Sequence, residues 1–300
     1  MGLNMGPTTD PGVARDVAQL AEALGYDSLW VGDHPVLPDP PLDGSPFPPR
    51  YPFGAPMVAL AHLAAHTGRV LLGTGVLLLS QRNPVHLAKE VATLDCLSGG
   101  RVVLGVGVGY LDAEFRAVGV PRDQRGARTD EHLDAMRALW CQPRPTFRGR
   151  FTCFDGIEAL PAPVRPGGPP VVVGGHSRAA LARAARVGDG WLGWFLDPDQ
   201  CARRVAHLAA LPRPDGRPPL EISVMPSRRL TADLVADYAA AGVARIVVTP
   251  SQRLDAERLL RFVERNAPAA LGLTPSLSSS DDLVALSGRA SDPVRAGHLT

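Results

Sequence analysis

Short apolar runs alternate along the chain with longer stretches in which apolar residues recur every three or four positions. A short apolar run is typical of a buried strand, and the longer spacing is typical of an amphipathic helix. Their alternation predicts repeated βαβ units and a parallel sheet. The predicted strands are Gly2–Met5, Ser28–Val31, Val70–Leu77, Val102–Val106, Pro170–Val173, Gly190–Leu192, Glu221–Val224 and Arg245–Val248.

Helical stretches lie between these strands, and several carry end signals. Gly25 follows the first stretch and suits a helix C-cap. Asn83-Pro84 opens another, because Asn is a good N-cap and Pro is favoured at the first helical position. The predicted helices are Val13–Leu24, Ala55–His66, Pro84–Leu97, Thr129–Trp140, Arg178–Val187, Pro198–Leu208 and Ala232–Ala241.

Eight strands with intervening helices match the count of an α/β fold of the (β/α)8 TIM-barrel type, which we expect for residues 1–272. A doubly wound open sheet is the alternative, because periodicity does not show whether a sheet closes. Phe147–Leu160 is predicted to be a small hairpin insertion. Pro35–Pro56 is predicted to be a long loop after the second strand, and loops of that length are usually functional or disordered. The polar, Ser- and Asp-rich residues 273–300 are predicted to be a disordered C-terminal tail.

Charge and cysteine usage exclude several classes of protein. The chain has 31 basic and 30 acidic residues, interspersed, without the basic stripe that nucleic acid or an anionic membrane requires. The longest apolar run, about Val70 to Leu79, is shorter than the ~20 residues of a membrane helix. No signal peptide is recognised at the start, and the four cysteines form no CxxC pair. We therefore expect a cytoplasmic protein without a metal site or disulfides.

Candidate chemistry follows the strands, because TIM-barrel active sites form at the carboxyl ends of the strands. Asp33-His34 follows the second strand, and histidine can transfer protons near neutral pH, although it could instead brace the long loop. Thr74-Gly75-Val76 lies at the end of the third strand. Its glycine permits close approach of a flat ligand or marks a bulge.

The next two strands also end in glycines. Gly105–Tyr110 has the spacing G-x-G-x-G, which includes Gly107 and is not the dinucleotide fingerprint. Glu114 follows it, either as a buried acid or as a solvated helix residue. Gly174-Gly175-His176-Ser177 leads directly into a helix, where free backbone N–H groups can bind a phosphate; a plain glycine-rich turn is the alternative.

Two tryptophans, Trp191 and Trp194, flank the end of the sixth strand. They could border a flat ring. Buried aromatic residues belong more often to a core, so these two residues alone do not define a site.

These motifs occur together and in order, and the chain resembles the luciferase-like monooxygenase superfamily, especially its oxidoreductases that depend on the deazaflavin coenzyme F420. The resemblance covers residues 1 to about 265. The matching segments are LAEALGYDSLWVGDH (Leu20–His34), Leu71–Pro121, RGARTDEHLDAMRALW (Arg125–Trp140), PPVVVGGHSRAALARAARVGDGWLGW (Pro169–Trp194) and AAGVARIVV (Ala240–Val248).

The resemblance implies roles for individual residues. His34 and Glu114 would be catalytic, and the peptide between Gly75 and Val76 would be a non-prolyl cis bond that bulges against the cofactor ring. It also implies a homodimer. The residues implied to bind the cofactor are Asp33, Thr74, Gly75, Val76, Gly107, Gly174, Gly175, His176 and Ser177.

The function implied is reversible hydride transfer between coenzyme F420 and a small organic substrate. His34 would move the substrate proton, and Glu114 would tune charge at the ring or share the proton transfer. The first alternative is an FMN-dependent monooxygenase that uses O₂. A non-catalytic flavin-binding barrel is a second alternative, and the presence of Asp33, His34 and Glu114 argues against it.

An aldolase or isomerase barrel is a third possibility. It would need a lysine or a metal cluster at the strand ends, whereas the single lysine of the chain, Lys89, lies in a predicted helix.

Overall fold

Eight parallel strands form a closed barrel in the computed structural model, which describes residues 1–6, 9–42, 47–250 and 254–273. The ring closes because β3 pairs with β5 and β1 pairs with β11. This confirms the TIM barrel, and the open-sheet alternative is wrong. The strands are β1 (Gly2–Asn4), β2 (Ser28–Val31), β3 (Leu71–Thr74), β4 (Leu77–Leu78), β5 (Val102–Gly107), β6 (Phe147–Arg148), β7 (Cys153–Phe154), β8 (Val171–Gly174), β9 (Gly190–Leu196), β10 (Glu221–Pro226) and β11 (Arg245–Val248).

The third barrel strand differs from its prediction. The sequence predicts one continuous strand over Val70–Leu77, but β3 stops at Thr74 and β4 resumes at Leu77. The intervening Gly75-Val76 peptide is cis, as the resemblance implies. A continuous apolar run does not reveal such a break, because the residues on both sides of it are buried.

Helices surround the barrel, and local signals define their starts. The Asn83 side chain accepts hydrogen bonds from the backbone N–H groups of Val85 and His86, and so caps the helix Pro84–Leu97 as predicted. The helices are α1 (Pro11–Ala23), α2 (Pro56–His66), α3 (Pro84–Leu97), α4 (Asp112–Ala117), α5 (Arg125–Cys141), α6 (Arg178–Val187), α7 (Pro198–Ala209), α8 (Ala232–Ala240) and α9 (Ala256–Arg265).

Two of these helices were not predicted. The α4 helix has six residues, too few to show a period of 3.6. The α9 helix buries Leu259 and Val263 within a run of arginines and glutamates, so its apolar stripe is narrow. None of the helices in the described part of the chain has the length and apolar character needed to cross a membrane.

Two segments were predicted to lie outside the repeated strand–helix units of the barrel: the hairpin insertion and the C-terminal tail. Strands β6 and β7 pair antiparallel, with Phe147 opposite Phe154, and form the predicted hairpin insertion. Residues 274–300 lie outside the described residues, so the disordered tail stays a prediction.

The barrel interior is filled by one side chain from each of seven strands. The largest is Trp30, which is fully buried and donates its indole N–H to the Ser28 hydroxyl at 2.9 Å. Gly73 on the neighbouring strand makes room for it, because a Cβ there would lie 2.5 Å from the Trp30 ring. The other members of this layer are Leu71, Val103, Val172, Leu192, Met225 and Val247. A second, larger apolar layer packs the strands against the helices.

The break in the third strand requires a glycine on the neighbouring strand. A Cβ on Gly105 would lie 1.8 Å from the Thr74 carbonyl oxygen, a backbone atom that cannot move without shifting the barrel. We therefore expect Gly105→Ala to lower the free energy of unfolding by about 3 kcal/mol, at the upper end of over-packing costs. Chemical denaturation measures this change.

Gly68→Ala is the matched control for that substitution. No atom lies within 4 Å of a Cβ built on Gly68, so we expect a change within about 0.5 kcal/mol. Equal denaturation midpoints for the two variants would contradict the proposed packing constraint.

Candidate active site

A cavity of about 850 Å³ opens at the carboxyl ends of the barrel strands. This volume lies within the range of ~300–1,000 Å³ for small-molecule and cofactor sites. Every strand of the ring, or the segment that directly follows it, contributes to its wall. The contributing residues include Asn4, His34, Val76, Gly107, Gly174, Leu192, Met225 and Val248.

The centre of chemical interest is a buried pair formed by His34 and Glu114. The His34 Nδ1 lies 2.7 Å from Glu114 Oε1, and the two side chains are 9% and 0% exposed. A carboxylate accepts the Nδ1 proton and thereby leaves Nε2 as the nitrogen that can exchange a proton at the cavity. Glu114 Oε2 is also buried and has no hydrogen-bond partner among the described residues. The arrangement can move one proton at His34.

The short helix α4 places Glu114 in this position. Glu114 lies in the first turn of α4, where the helix dipole favours a negative charge. The structure thus decides between the two sequence interpretations of Glu114: it is a buried acid and not a solvated helix residue. Glu114 does not line the cavity itself and reaches it through His34.

Asp33, predicted to bind the cofactor, makes its contacts inside the protein. Its Oδ2 accepts the Leu78 N–H at 2.9 Å, and both carboxylate oxygens contact the Arg82 guanidinium at 2.9 and 3.0 Å. The side chain is 3% exposed at the edge of the cavity. Asp33 therefore fixes the chain just after the Gly75-Val76 peptide.

Val76 projects across the barrel mouth between two of the predicted glycines. A Cβ on Gly107 would lie 2.6 Å from Val76 Cγ2, and a Cβ on Gly174 would lie 2.8 Å from Val76 Cγ1. We call Val76 with Gly75, Gly107 and Gly174 the platform. Thr74 lies outside it: its side chain is fully buried and donates a hydrogen bond to the Gly105 carbonyl at 2.6 Å.

The turn between β8 and α6 leads into a ten-residue helix at the edge of the cavity. Gly175 adopts a φ of 116°, which favours glycine, and Ser177 caps α6 by accepting the Ala180 N–H. Gly175 and His176 line the cavity, whereas Ser177 does not. The first-turn N–H groups of such a helix attract negative charge.

His176 is held as a neutral imidazole in this turn. Its Nε2 accepts the backbone N–H of Trp194 at 2.9 Å. A nitrogen that accepts a hydrogen bond carries no proton, so Nε2 is unprotonated. Burial, with a further contribution from Arg204, lowers the pKa of His176 below its usual value. Any anion bound here is thus held by N–H dipoles more than by a histidine charge.

Aromatic side chains surround His34, and the sequence patterns do not reveal them. The ring centroids of Phe53, Phe47 and Tyr110 lie 4.8, 5.5 and 5.7 Å from that of His34. Phe47 and Phe53 come from the long loop after β2, which was predicted to be functional or disordered without any residue being singled out. Burial raises the pKa of Tyr51, in the same loop, to about 12, so it stays a neutral phenol.

The two predicted aromatic residues of β9 have different environments. Trp191 is fully buried and donates its indole N–H to the Gly175 carbonyl at 2.9 Å, so it supports the turn. Trp194 is 37% exposed and stacks on Phe195, with ring centroids 4.6 Å apart. Trp194 and Phe195 both line the cavity.

Three arginines also line the cavity and were not predicted as site residues. Arg228 and Arg229 follow β10, and Arg265 ends α9. Neither segment carries a recognisable motif, and the charges come together only because β10 and β11 are neighbours in the ring.

Comparison with known proteins agrees with this architecture. A family model described as luciferase-like monooxygenase matches residues 2–272. An uncharacterized protein of Mycobacterium tuberculosis is 35% identical over 77% of this chain and 83% of its own length. A monooxygenase from Streptomyces bottropensis has the same fold, with a TM-score of 0.72, 24% identity, and coverage of 90% of this chain and 99% of that one.

Relatives with printed activities use two different cofactors. An F420-dependent glucose-6-phosphate dehydrogenase of Kineococcus radiotolerans is 36% identical over 61% of this chain and 52% of its own. An FMNH₂-dependent dimethylsulfone monooxygenase of Pseudomonas fluorescens is 34% identical over 61% of this chain and 46% of its own. This chain thus spans about half the length of each. Since the family model covers nearly the whole barrel, the chain belongs to the luciferase-like monooxygenase family.

Proposed function

We propose that this protein is an oxidoreductase that transfers a hydride between coenzyme F420 and a small organic substrate. The observation that carries the proposal is the His34–Glu114 pair, buried and facing a cavity at the barrel mouth. Hydride transfer to or from a carbon bearing oxygen needs a partner that moves one proton, and the pair supplies that partner.

The residues present fit a flavin-like cofactor. The platform leaves a flat surface at the mouth because Gly107 and Gly174 carry no side chains. The turn at Gly174, Gly175 and His176 offers an anion site to a phosphate group. Bound there, a deazaflavin supplies the carbon that accepts or donates the hydride.

The protein's own part in the reaction is proton transfer, positioning and exclusion of water. His34 Nε2 takes the proton from the substrate, or returns it in the reverse direction. Glu114 holds the ring through Nδ1 and compensates the charge of the imidazolium that forms. The aromatic rings packed on His34 keep bulk water from competing for the proton.

Asp33 takes part as a positioning residue in this proposal. Its contacts to Leu78 and Arg82 hold the chain that leaves the platform, so its effect on cofactor binding passes through Val76. Thr74 and Ser177 act in the same indirect way, since neither lines the cavity.

The second candidate is an FMN-dependent monooxygenase, which the Pseudomonas fluorescens relative favours. The platform and the anion turn suit either cofactor, because both carry a tricyclic ring and a phosphate. The two candidates differ in their use of oxygen, since a deazaflavin reacts poorly with O₂.

Cofactor titration separates the two candidates. We expect the fluorescence of coenzyme F420 to be quenched when it binds to the protein. F420 should bind at least about tenfold more tightly than FMN, a difference of about 1.4 kcal/mol in binding free energy. An oxygen electrode should record no uptake with the reduced cofactor. Tighter FMN binding with oxygen consumption would instead establish the monooxygenase.

Substitution of the buried pair tests the proton-transfer role. We expect His34→Gln to lower kcat by about 10²–10⁴-fold, the usual contribution of a general base, with the cofactor Kd changed less than about threefold. Glu114→Gln keeps a hydrogen-bond acceptor but removes the charge, so a loss of about tenfold is expected. The measurement is steady-state turnover with the substrate found by screening hydride donors and acceptors.

His86→Gln is the matched control, since His86 is exposed on α3 and lies away from the cavity. Its kcat should equal that of the unmodified protein. If His34→Gln retains full turnover, the pair is not the proton-transfer group.

A further inference from the structure

The cavity has two chemically different walls, and together they define a substrate class. One wall is aromatic and surrounds His34: it consists of Phe47, Tyr51, Phe53, Tyr110, Trp194 and Phe195. The other wall is cationic and consists of Arg228, Arg229 and Arg265. Resting on the proposed function, we propose that the substrate is an aromatic anion, a planar ring system that carries a carboxylate or a similar acidic group.

The aromatic wall identifies where the ring of the substrate binds. A base acts on a proton within hydrogen-bond reach, so the reacting atom of the substrate must lie beside His34. Phe53 and Phe47 lie against His34 at 4.8 and 5.5 Å, and Phe47 stacks towards Trp194 at 6.4 Å. A molecule whose reacting atom meets His34 is therefore flanked by ring faces and edges, which favour a planar aromatic partner.

The exposed stacked pair strengthens this assignment. Trp194 and Phe195 are 37% and 39% exposed, although large aromatic side chains are usually buried. Their rings are nearly parallel, with an interplanar angle of 20°, and so they present an extended apolar surface to the cavity.

The cationic wall carries positive charge that no carboxylate among the described residues neutralises. Arg228 and Arg229 form no salt bridge with any carboxylate in the described part of the chain, and Arg265 only donates from Nε to the Arg261 carbonyl at 3.3 Å. Several arginines elsewhere do pair with carboxylates, as Arg82 does with Asp33 and Arg183 with Asp130. Asp33 is the acidic residue among the described residues that line the cavity, and Arg82 already neutralises it.

The position of these arginines separates them from the proposed phosphate turn. That turn follows β8, whereas Arg228 and Arg229 follow β10, two strands further round the ring, and Arg265 ends the helix after β11. A cofactor phosphate held at β8 leaves the cationic wall for a second anionic group. Arginine forms bidentate hydrogen bonds with carboxylate or phosphate, and we assign that second group to the substrate.

Equilibrium binding of simple probes tests both walls without turnover. The full-length protein is titrated with 2-naphthoate, with 2-naphthamide (the same shape without charge) and with octanoate (the charge without the ring). The cofactor that the protein binds, F420 or FMN, is present at saturation. We expect 2-naphthoate to bind at least about tenfold more tightly than either of the others. Titration with 2-naphthyl phosphate then distinguishes a carboxylate from a phosphate as the preferred acidic group.

Variants assign the preference to the two walls. The double variant Arg228→Gln/Arg229→Gln should bind the naphthoate and the naphthamide within about twofold of each other, while the cofactor Kd is unchanged. Phe53→Leu should weaken both naphthyl probes and leave octanoate unaffected. Arg258→Gln is the matched control, because Arg258 is an exposed arginine of α9 that pairs with Asp255 and does not line the cavity.

The outcomes that would overturn the proposal are specific. Equal affinity for naphthoate and naphthamide in the unmodified protein would show that the cationic wall selects no anion. A tenfold weaker cofactor Kd in the double arginine variant would assign those arginines to the cofactor. If neither F420 nor FMN binds, the proposed function fails, yet the same titration of the protein alone still tests the two walls.

Discussion

The candidate site depends on the way the chain leaves its third barrel strand. After Thr74 the backbone departs from the sheet, and the space it needs exists only because Gly105 has no side chain. Two residues later Val76 occupies the mouth between Gly107 and Gly174. Gly105 and Gly107 of β5 and Gly174 at the end of β8 therefore meet one packing requirement. Each of them makes room for the segment Thr74–Val76, where the chain leaves β3.

The same departure connects the platform to the proton-transfer group. Asp33 holds Leu78 and Arg82 just beyond the platform, and its neighbour His34 meets Glu114. One strand end thus presents two adjacent side chains with separate tasks. The carboxylate of Asp33 binds an arginine and that of Glu114 binds the histidine, so each of these two buried carboxylates has a partner.

Different strands and helices of the barrel contribute different charges to the cavity. The acidic side chain at its edge, Asp33, is neutralised by Arg82, and the turn after β8 offers N–H dipoles. The guanidinium groups that have no carboxylate partner among the described residues lie after β10 and at the end of α9. Since the low-dielectric walls strengthen each of these fields, the cavity favours ligands with anionic groups at separated points and an apolar body between them. A barrel suits such an arrangement because every strand end supplies its own loop.

The sequence by itself determined the eight strands of the barrel and much of its rim. The pattern of apolar residues located all eight barrel strands, because apolar residues are spaced differently along a buried strand and along an amphipathic helix. Glycines at three strand ends indicated where the platform lies. The tertiary structure alone decided which distant residues meet. It closed the ring, interrupted the apolar run at Gly75-Val76, and buried Glu114, which is 80 residues from His34. It also collected the aromatic and cationic walls from separate loops. Local patterns report how each segment is buried, whereas a site is made by segments that become neighbours only when the sheet closes.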